Sequence, residues 1–147
     1  MKRNRVSTLT KFAVLLLAAC AAAQPKPAKE RQPTDAEKMG VSGSRSMRKE
    51  LDDPESFRVS SVRILKNKDA KMDTAYYVCV QGRAKNKTGG YVSLLGVALA
   101  FMPEAIGVAM DISEEGIGGY QLYCLDDPGV DVTDAVKAAL KADREKE

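Results

Sequence analysis

Two kinds of side chain in this 147-residue chain could do chemistry: paired carboxylates and cysteines. Asp52-Asp53 and Asp126-Asp127 are adjacent acidic pairs, and each lies beside a proline. Acid–base work by such pairs needs converging side chains with pKa values pushed apart. The chain contains no His, so the usual general base near neutral pH is missing. That excludes imidazole-dependent serine and cysteine triads and His-containing zinc sites. The cysteines stand at 20, 79 and 124 with no C-x-x-C spacing, which leaves a thioredoxin-type redox role without support.

Short motif matches are weak here. Ser46-Met47-Arg48-Lys49 spells S-x-x-K, but no S-D-N follows and Lys87-Thr88-Gly89 falls in a turn-rich stretch. Gly40–Ser44 misses the last glycine of G-x-S-x-G. Asp126, Asp127, Asp131 and Asp134 could face a hard cation, yet their spacing is no EF-hand, and a turn followed by a helix cap accounts for each. No metal, cofactor or catalytic residue is expected from these matches.

The first 19 residues carry Lys2, Arg3, Arg5 and Lys11 and no acid, followed by the apolar run Phe12–Ala19. This predicts an export signal, since the run is too short to span a bilayer. Leu17-Ala18-Ala19-Cys20 resembles a bacterial lipobox, which implies diacylglyceryl and palmitate attachment at Cys20. Cleavage after Ala23 is the competing reading. Lacking an acidic residue at 21, the lipobox implies the inner leaflet of the outer membrane in a two-membrane host, otherwise a surface anchor. Residues 20–33 hold Pro25, Pro27 and Pro33 among charges and predict a tether. In the oxidising compartment beyond the membrane, the remaining Cys79 and Cys124 are expected to form a disulfide.

The apparent basicity, 23 Lys+Arg against 20 Asp+Glu, belongs to the leader. Without it the chain has 19 against 20, which gives no footprint for nucleic acid. Lys26–Lys87 holds 15 basic and 9 acidic residues, and Thr88–Glu147 holds 4 and 11. The halves are expected to attract each other within one fold.

The elements that must carry these residues follow from patterning. Thr34–Glu37 reads as a capping box opening a short helix, which Gly40 to Ser44 then breaks; a second helical stretch, Ser44–Leu51, ends before Pro54. Phe57–Leu65 reads as a strand whose burial phase shifts at Val62, and Ala75–Ala84 as a strong strand. Lys85–Gly90 reads as a hairpin loop, and Tyr91–Met102 as a strand buried on both faces. The apolar pattern resumes at Ala105–Met110, and Tyr120–Cys124 reads as a further strand. A last helix, Val132–Lys146, capped by Asp131 or Thr133, offers Val132, Val136, Ala139 and Leu140 for docking. Residues 34–147 are thus expected to form one α+β domain, with an antiparallel sheet of four or five strands, a helix before it and an amphipathic C-terminal helix.

Leu51–Phe57 and Val78–Tyr91 together resemble small exported bacterial proteins, many of them lipoproteins. Those pair an L-x-D-P-x-S-x-x-F-like stretch with a C-G-x-V-N-A-K-N-x-x-G-G-Y-like strand and hairpin. Here Val80-Gln81-Gly82-Arg83 departs from that pattern. The resemblance implies fold and location but no activity. Composition and leader lead to the expectation of a membrane-tethered binding or structural module of the envelope, with an envelope protein as possible partner. The alternative is a small periplasmic enzyme or enzyme inhibitor working through the paired carboxylates.

Overall fold

The computed structural model describes residues 33–68, 75–102, 104, 106–114 and 118–146. The expected leader, Cys20 and the expected tether up to residue 32 lie outside the described residues. In chain order the elements are α1 (Asp35–Lys49), a 3-10 turn (Pro54–Ser56), β1 (Arg58–Lys66), β2 (Ala75–Lys85), β3 (Tyr91–Phe101), β4 (Ile106–Ser113), α2 (Gly119–Cys124), β5 (Val130–Asp131) and α3 (Thr133–Arg144). The strands form one antiparallel sheet in the order β4-β3-β2-β1-β5. This is the expected α+β architecture with five strands.

The capping box forms: the Thr34 hydroxyl accepts from the Glu37 amide, and the Glu37 carboxylate accepts from the Thr34 amide. The expected break at Gly40–Ser44 does not occur, and α1 runs unbroken for 15 residues. Tertiary packing overrides the helix cost of glycine, about 1 kcal/mol per site. A Cβ on Gly40 would lie 2.6 Å from Val132 Cγ2, and one on Gly43 3.0 Å from the Val78 side chain. The glycines are the surface on which α1 meets α3 and the sheet.

The phase shift read in the first strand is a β-bulge. Val59 faces Gly82 and Ser61 faces Gln81, so Ser60 is the extra residue. The bulge turns Val62 and Ile64 into the core beneath α1 and α3, with Val78, Val80, Ala98 and Ala100 from the neighbouring strands. The docking stripe of α3 behaves as expected, with Val132, Val136 and Leu140 all buried. Its side-chain contacts differ from a simple cap: Asp131 accepts from the Thr133 amide, while the Thr133 hydroxyl accepts from the Val62 amide of β1.

The hairpin between β2 and β3 is closed by Asn86, whose Oδ1 accepts from the amides of Thr88 and Gly90, with Gly89 at φ 83°. The two segments that carry the family resemblance meet there. The buried Ser56 hydroxyl donates to the Asp53 carbonyl and accepts from the Lys85 amide. A Cβ on Gly82 would clash with the Arg58 carbonyl at 2.7 Å and touch Phe57 at 3.0 Å.

Tyr120–Cys124, expected as a strand, is helical. A five-residue, mostly apolar segment is ambiguous by periodicity alone. Tyr120 and Cys124 are one helical turn apart and both buried, whereas Leu122 between them is 77% exposed. Asp111 accepts from the Gly119 amide at the start of this turn, and the Arg63 guanidinium donates to the Cys124 carbonyl at its end. The Cys79–Cys124 disulfide is formed, with 5.9 Å between the Cα atoms. It pins α2 to the sheet face opposite α1, over a second small core of Leu65, Val97 and Tyr120.

Candidate docking face

Where α1 crosses β4, helix and strand approach backbone to backbone. A Cβ on Gly107 would fall 2.4 Å from the Gly43 nitrogen. The Gly107 and Ala109 amides point away from β3 and donate to the hydroxyls of Ser42 and Ser46 at 2.8 and 3.0 Å. Four helical residues advance about 6 Å and two strand residues about 6.7 Å, so serines at i and i+4 match alternate amides of a strand edge. Ser46, the serine of the S-x-x-K match, is therefore a strand-edge acceptor, and Ser42 of the glycine-rich match has the same role.

This close approach admits only small residues on the helix side of β4, and its large residues face away. Ile106, Val108 and Met110 are 55%, 51% and 48% exposed, while Gly107 and Ala109 turn inward. Across the sheet, Val108 pairs with Leu99 and Leu99 with Tyr77, and Ile106 pairs with Phe101. Leu99, Phe101 and Tyr77 are half-buried, so β3 is less enclosed at this end than its sequence suggests. Tyr123 of α2 stacks on Tyr77 with ring centroids 4.5 Å apart. Because α2 has only six residues, it covers the middle of this sheet face and leaves the end beside β4 open. An apolar patch of this kind marks an interaction site more often than plain surface.

The charges near it are mixed. Glu104 before β4, Glu114 after it and Asp126 after α2 are exposed, as are Lys66 and Lys68 at the end of the sheet where β4 begins. From Thr88 to Val136 there are eight acidic residues and no Lys or Arg. The charge halves noted in the sequence do meet elsewhere: Arg45 of α1 holds Asp143 of α3 through two 2.8 Å bonds, and Lys68 lies 3.6 Å from Asp127. Hydrogen bonding to Asp143 raises the Arg45 pKa, and the same guanidinium lowers that of Asp143. Asp131 is also held below the usual carboxylate range, chiefly by the Thr133 hydroxyl.

The paired carboxylates are not brought together. Asp53 caps the 3-10 turn through the Ser56 amide, and Asp52 lies 3.9 Å from Lys87 beside the hairpin. Asp127 closes a turn onto the Gly129 amide, near Lys68 beyond the far end of β1. Asp52, Asp53 and Asp127 each have a local role, and most of the length of β1 separates the pairs. Among the described residues no cluster of three His, Cys, Asp or Glu could hold a metal ion. A void of about 10 Å³ between Met47, Phe57 and Leu94 has room for about one water. A wider groove of about 740 Å³ runs along α1 between Ile106 and Ala139, lined with the mixed charges of Lys38, Arg45, Lys49 and Glu104.

Sequence reasoning missed the patch because it took the β4 segment as a continuation of the buried run. The signal was present as an alternation of large and small residues, Ile106-Gly107-Val108-Ala109-Met110. No protein-family model matches the chain, and no curated protein or solved structure matches it significantly.

Proposed function

We propose that this protein is a membrane-tethered binding module of the bacterial envelope that docks a protein partner on the open apolar end of its sheet. The single observation that carries the docking part is the outward row Ile106, Val108 and Met110, continuous with Leu99 and Tyr77 and exposed among the described residues. The tether rests on the sequence: a lipobox-like Leu17–Cys20, followed by a proline-containing stretch that would reach about 40 Å if extended. Acylation of Cys20 with more than one chain would anchor it stably. Among the described residues no helix is long and apolar enough to cross a membrane.

Two measurements test the two parts. Labelled palmitate should enter the wild-type chain and be lost in Cys20→Ala; incorporation that survives the substitution removes the anchor. A photocrosslinking amino acid at Val108 should give a discrete adduct in intact cells, whereas the same group at exposed Ala138 of α3 should not. Equal labelling at both positions would mean that the sheet face is ordinary surface.

A further inference from the structure

The hairpin end of the same sheet face carries a different kind of surface. Arg83 and Lys85, two residues apart along β2, lie on the face of Cys79, and both are exposed. Arg58 is directly opposite Arg83 on β1, and Tyr91 is opposite Lys85 on β3. The Tyr91 ring, on a residue that is 51% exposed, lies 5.4 Å from the Arg83 guanidinium and 5.8 Å from the Lys85 ammonium. Both distances fall within cation–π range. Like charges directly opposite each other in a sheet are destabilising. Among the described residues, none of Arg58, Arg83 and Lys85 has an ion pair. The three acids closest before β1 are engaged elsewhere: Asp52 lies 3.9 Å from Lys87, Asp53 accepts from the Ser56 amide, and Glu55 is bonded to Arg48. Pairing of β4 with β3 stops at Leu95, so Glu114 beyond it is two strand spacings from β2, about 10 Å.

We infer that this corner of the sheet binds a phosphate monoester group, carried by a lipid headgroup or by a soluble ligand. Arg58 directs Nη1 to the carbonyls of Glu55 and Phe57, which steadies its guanidinium and leaves Nε and Nη2 open to a ligand. A guanidinium fork fits carboxylate and phosphate alike. A carboxylate brings one charge and two oxygens, whereas a phosphate monoester brings about 1.5–2 charges and three acceptor oxygens. Two Arg forks and one ammonium on neighbouring positions match the second set. The corner is also accessible, because β1 begins at Arg58 and β4 does not reach Tyr91. It shares no residue with the Val108 row and does not depend on docking there.

The test titrates the purified protein with inorganic phosphate at fixed ionic strength and follows it by two-dimensional NMR. The backbone amides of Arg58, Arg83, Lys85 and Tyr91 should shift together and saturate. Arg58→Gln with Arg83→Gln should weaken binding at least about tenfold, with circular dichroism unchanged because both side chains are exposed. Without phosphate this pair should unfold at the same or a higher temperature, because like charges no longer face each other. Sedimentation with vesicles distinguishes the two sources. Retention on phosphatidic acid in phosphatidylcholine, absent on phosphatidylcholine alone and abolished by the Gln pair, assigns the site to a lipid headgroup. No retention, with phosphate binding intact, assigns it to a soluble ligand. Shifts that fail to saturate, or phosphate or vesicle binding that survives the Gln pair, would overturn the site. Acetate binding as tightly as phosphate would overturn the phosphate class. A large fall in the unfolding temperature of the Gln pair would show that the cations serve the fold instead, and would also overturn the inference.

Discussion

Gly107→Ala should be among the most damaging single-methyl additions this fold can receive. The new Cβ would sit 2.4 Å from the Gly43 nitrogen, 2.5 Å from its Cα and 2.8 Å from the Ser42 carbonyl carbon. All three are backbone atoms, so no side chain can rotate to make room. Ordinary contact requires 3.4 Å or more, and α1 must therefore retreat from β4 by about 1 Å. Overpacking of this sort costs about 1–3 kcal/mol. The retreat also stretches the 2.8 and 3.0 Å serine bonds past useful length, at about 1 kcal/mol each. Together the loss is about 3–5 kcal/mol, a large share of the roughly 5–15 kcal/mol that stabilises a typical domain. Urea unfolding followed by far-ultraviolet circular dichroism should show a lower midpoint with an unchanged slope. Gly90→Ala is the control, because its Cβ would meet only Asn86 Oδ1 at 3.7 Å; it should change stability by less than about 0.5 kcal/mol. A Gly107→Ala protein within about 1 kcal/mol of wild type would show that α1 does not press on this strand.

Replacing Cys79 and Cys124 with Ala removes a link between residues 45 apart and should cost about 4 kcal/mol in the chain-entropy description, read as the wild-type versus variant difference in urea; a difference under about 1 kcal/mol would contradict it. Asp143→Asn should cost about 0.5 kcal/mol at neutral pH, given that the pair is partly exposed. Its sign with pH is fixed: a lowered folded pKa gives stability that is present above the ordinary carboxylate value, about 3.9, and lost as pH falls through the folded value. The variant's stability curve should therefore be flatter below about pH 4, and curves that stay parallel to wild type would refute the Arg45–Asp143 assignment. Ser44→Ala removes a fully buried hydroxyl that has no hydrogen-bond partner and adds a better helix former, so thermal unfolding should shift up by about 1 kcal/mol; destabilisation would reveal a bond at that oxygen.

Most of the strand framework was legible because β1, β2 and the hairpin obey local rules. Alternating burial, a turn built on Asn86 and Gly89, and even the phase slip of the bulge are written in neighbouring residues. The disulfide was legible from the two cysteines that remain once Cys20 is set aside with the expected leader, and from the oxidising compartment that this expectation implies. What was not legible depends on distant partners. Gly40 and Gly43 are helix breakers by propensity and helix contacts by packing, and the choice is made by Val132, Val78 and Gly107. Likewise Tyr120–Cys124 is apolar enough for a strand. Asp111, Arg63 and Cys79 decide otherwise, none of them within the segment and the last two far away in sequence. The docking face belongs to the same class, since the outward turn of Ile106 and Val108 follows from how closely α1 approaches.

The hydroxyls that settle this geometry also determine how a partner can approach. A sheet edge with free amides invites an added strand. Here Ser42 and Ser46 take the Gly107 and Ala109 amides of β4, and at the opposite side Thr133 takes the Val62 amide of β1 beside the two-residue β5. Strand addition at these positions would have to displace bonds already made, whereas the face of β4 offers exposed apolar side chains. Association should therefore proceed face-on through side chains. Ser42→Ala with Ser46→Ala supplies the discriminating case. Freeing the two amides should raise the tendency to self-associate through the edge, seen as a concentration-dependent increase in sedimentation coefficient. It should leave the yield of the Val108 photocrosslinked adduct within about twofold of wild type. If the serine pair instead abolishes that adduct without unfolding the domain, the edge is the docking site and the face is not.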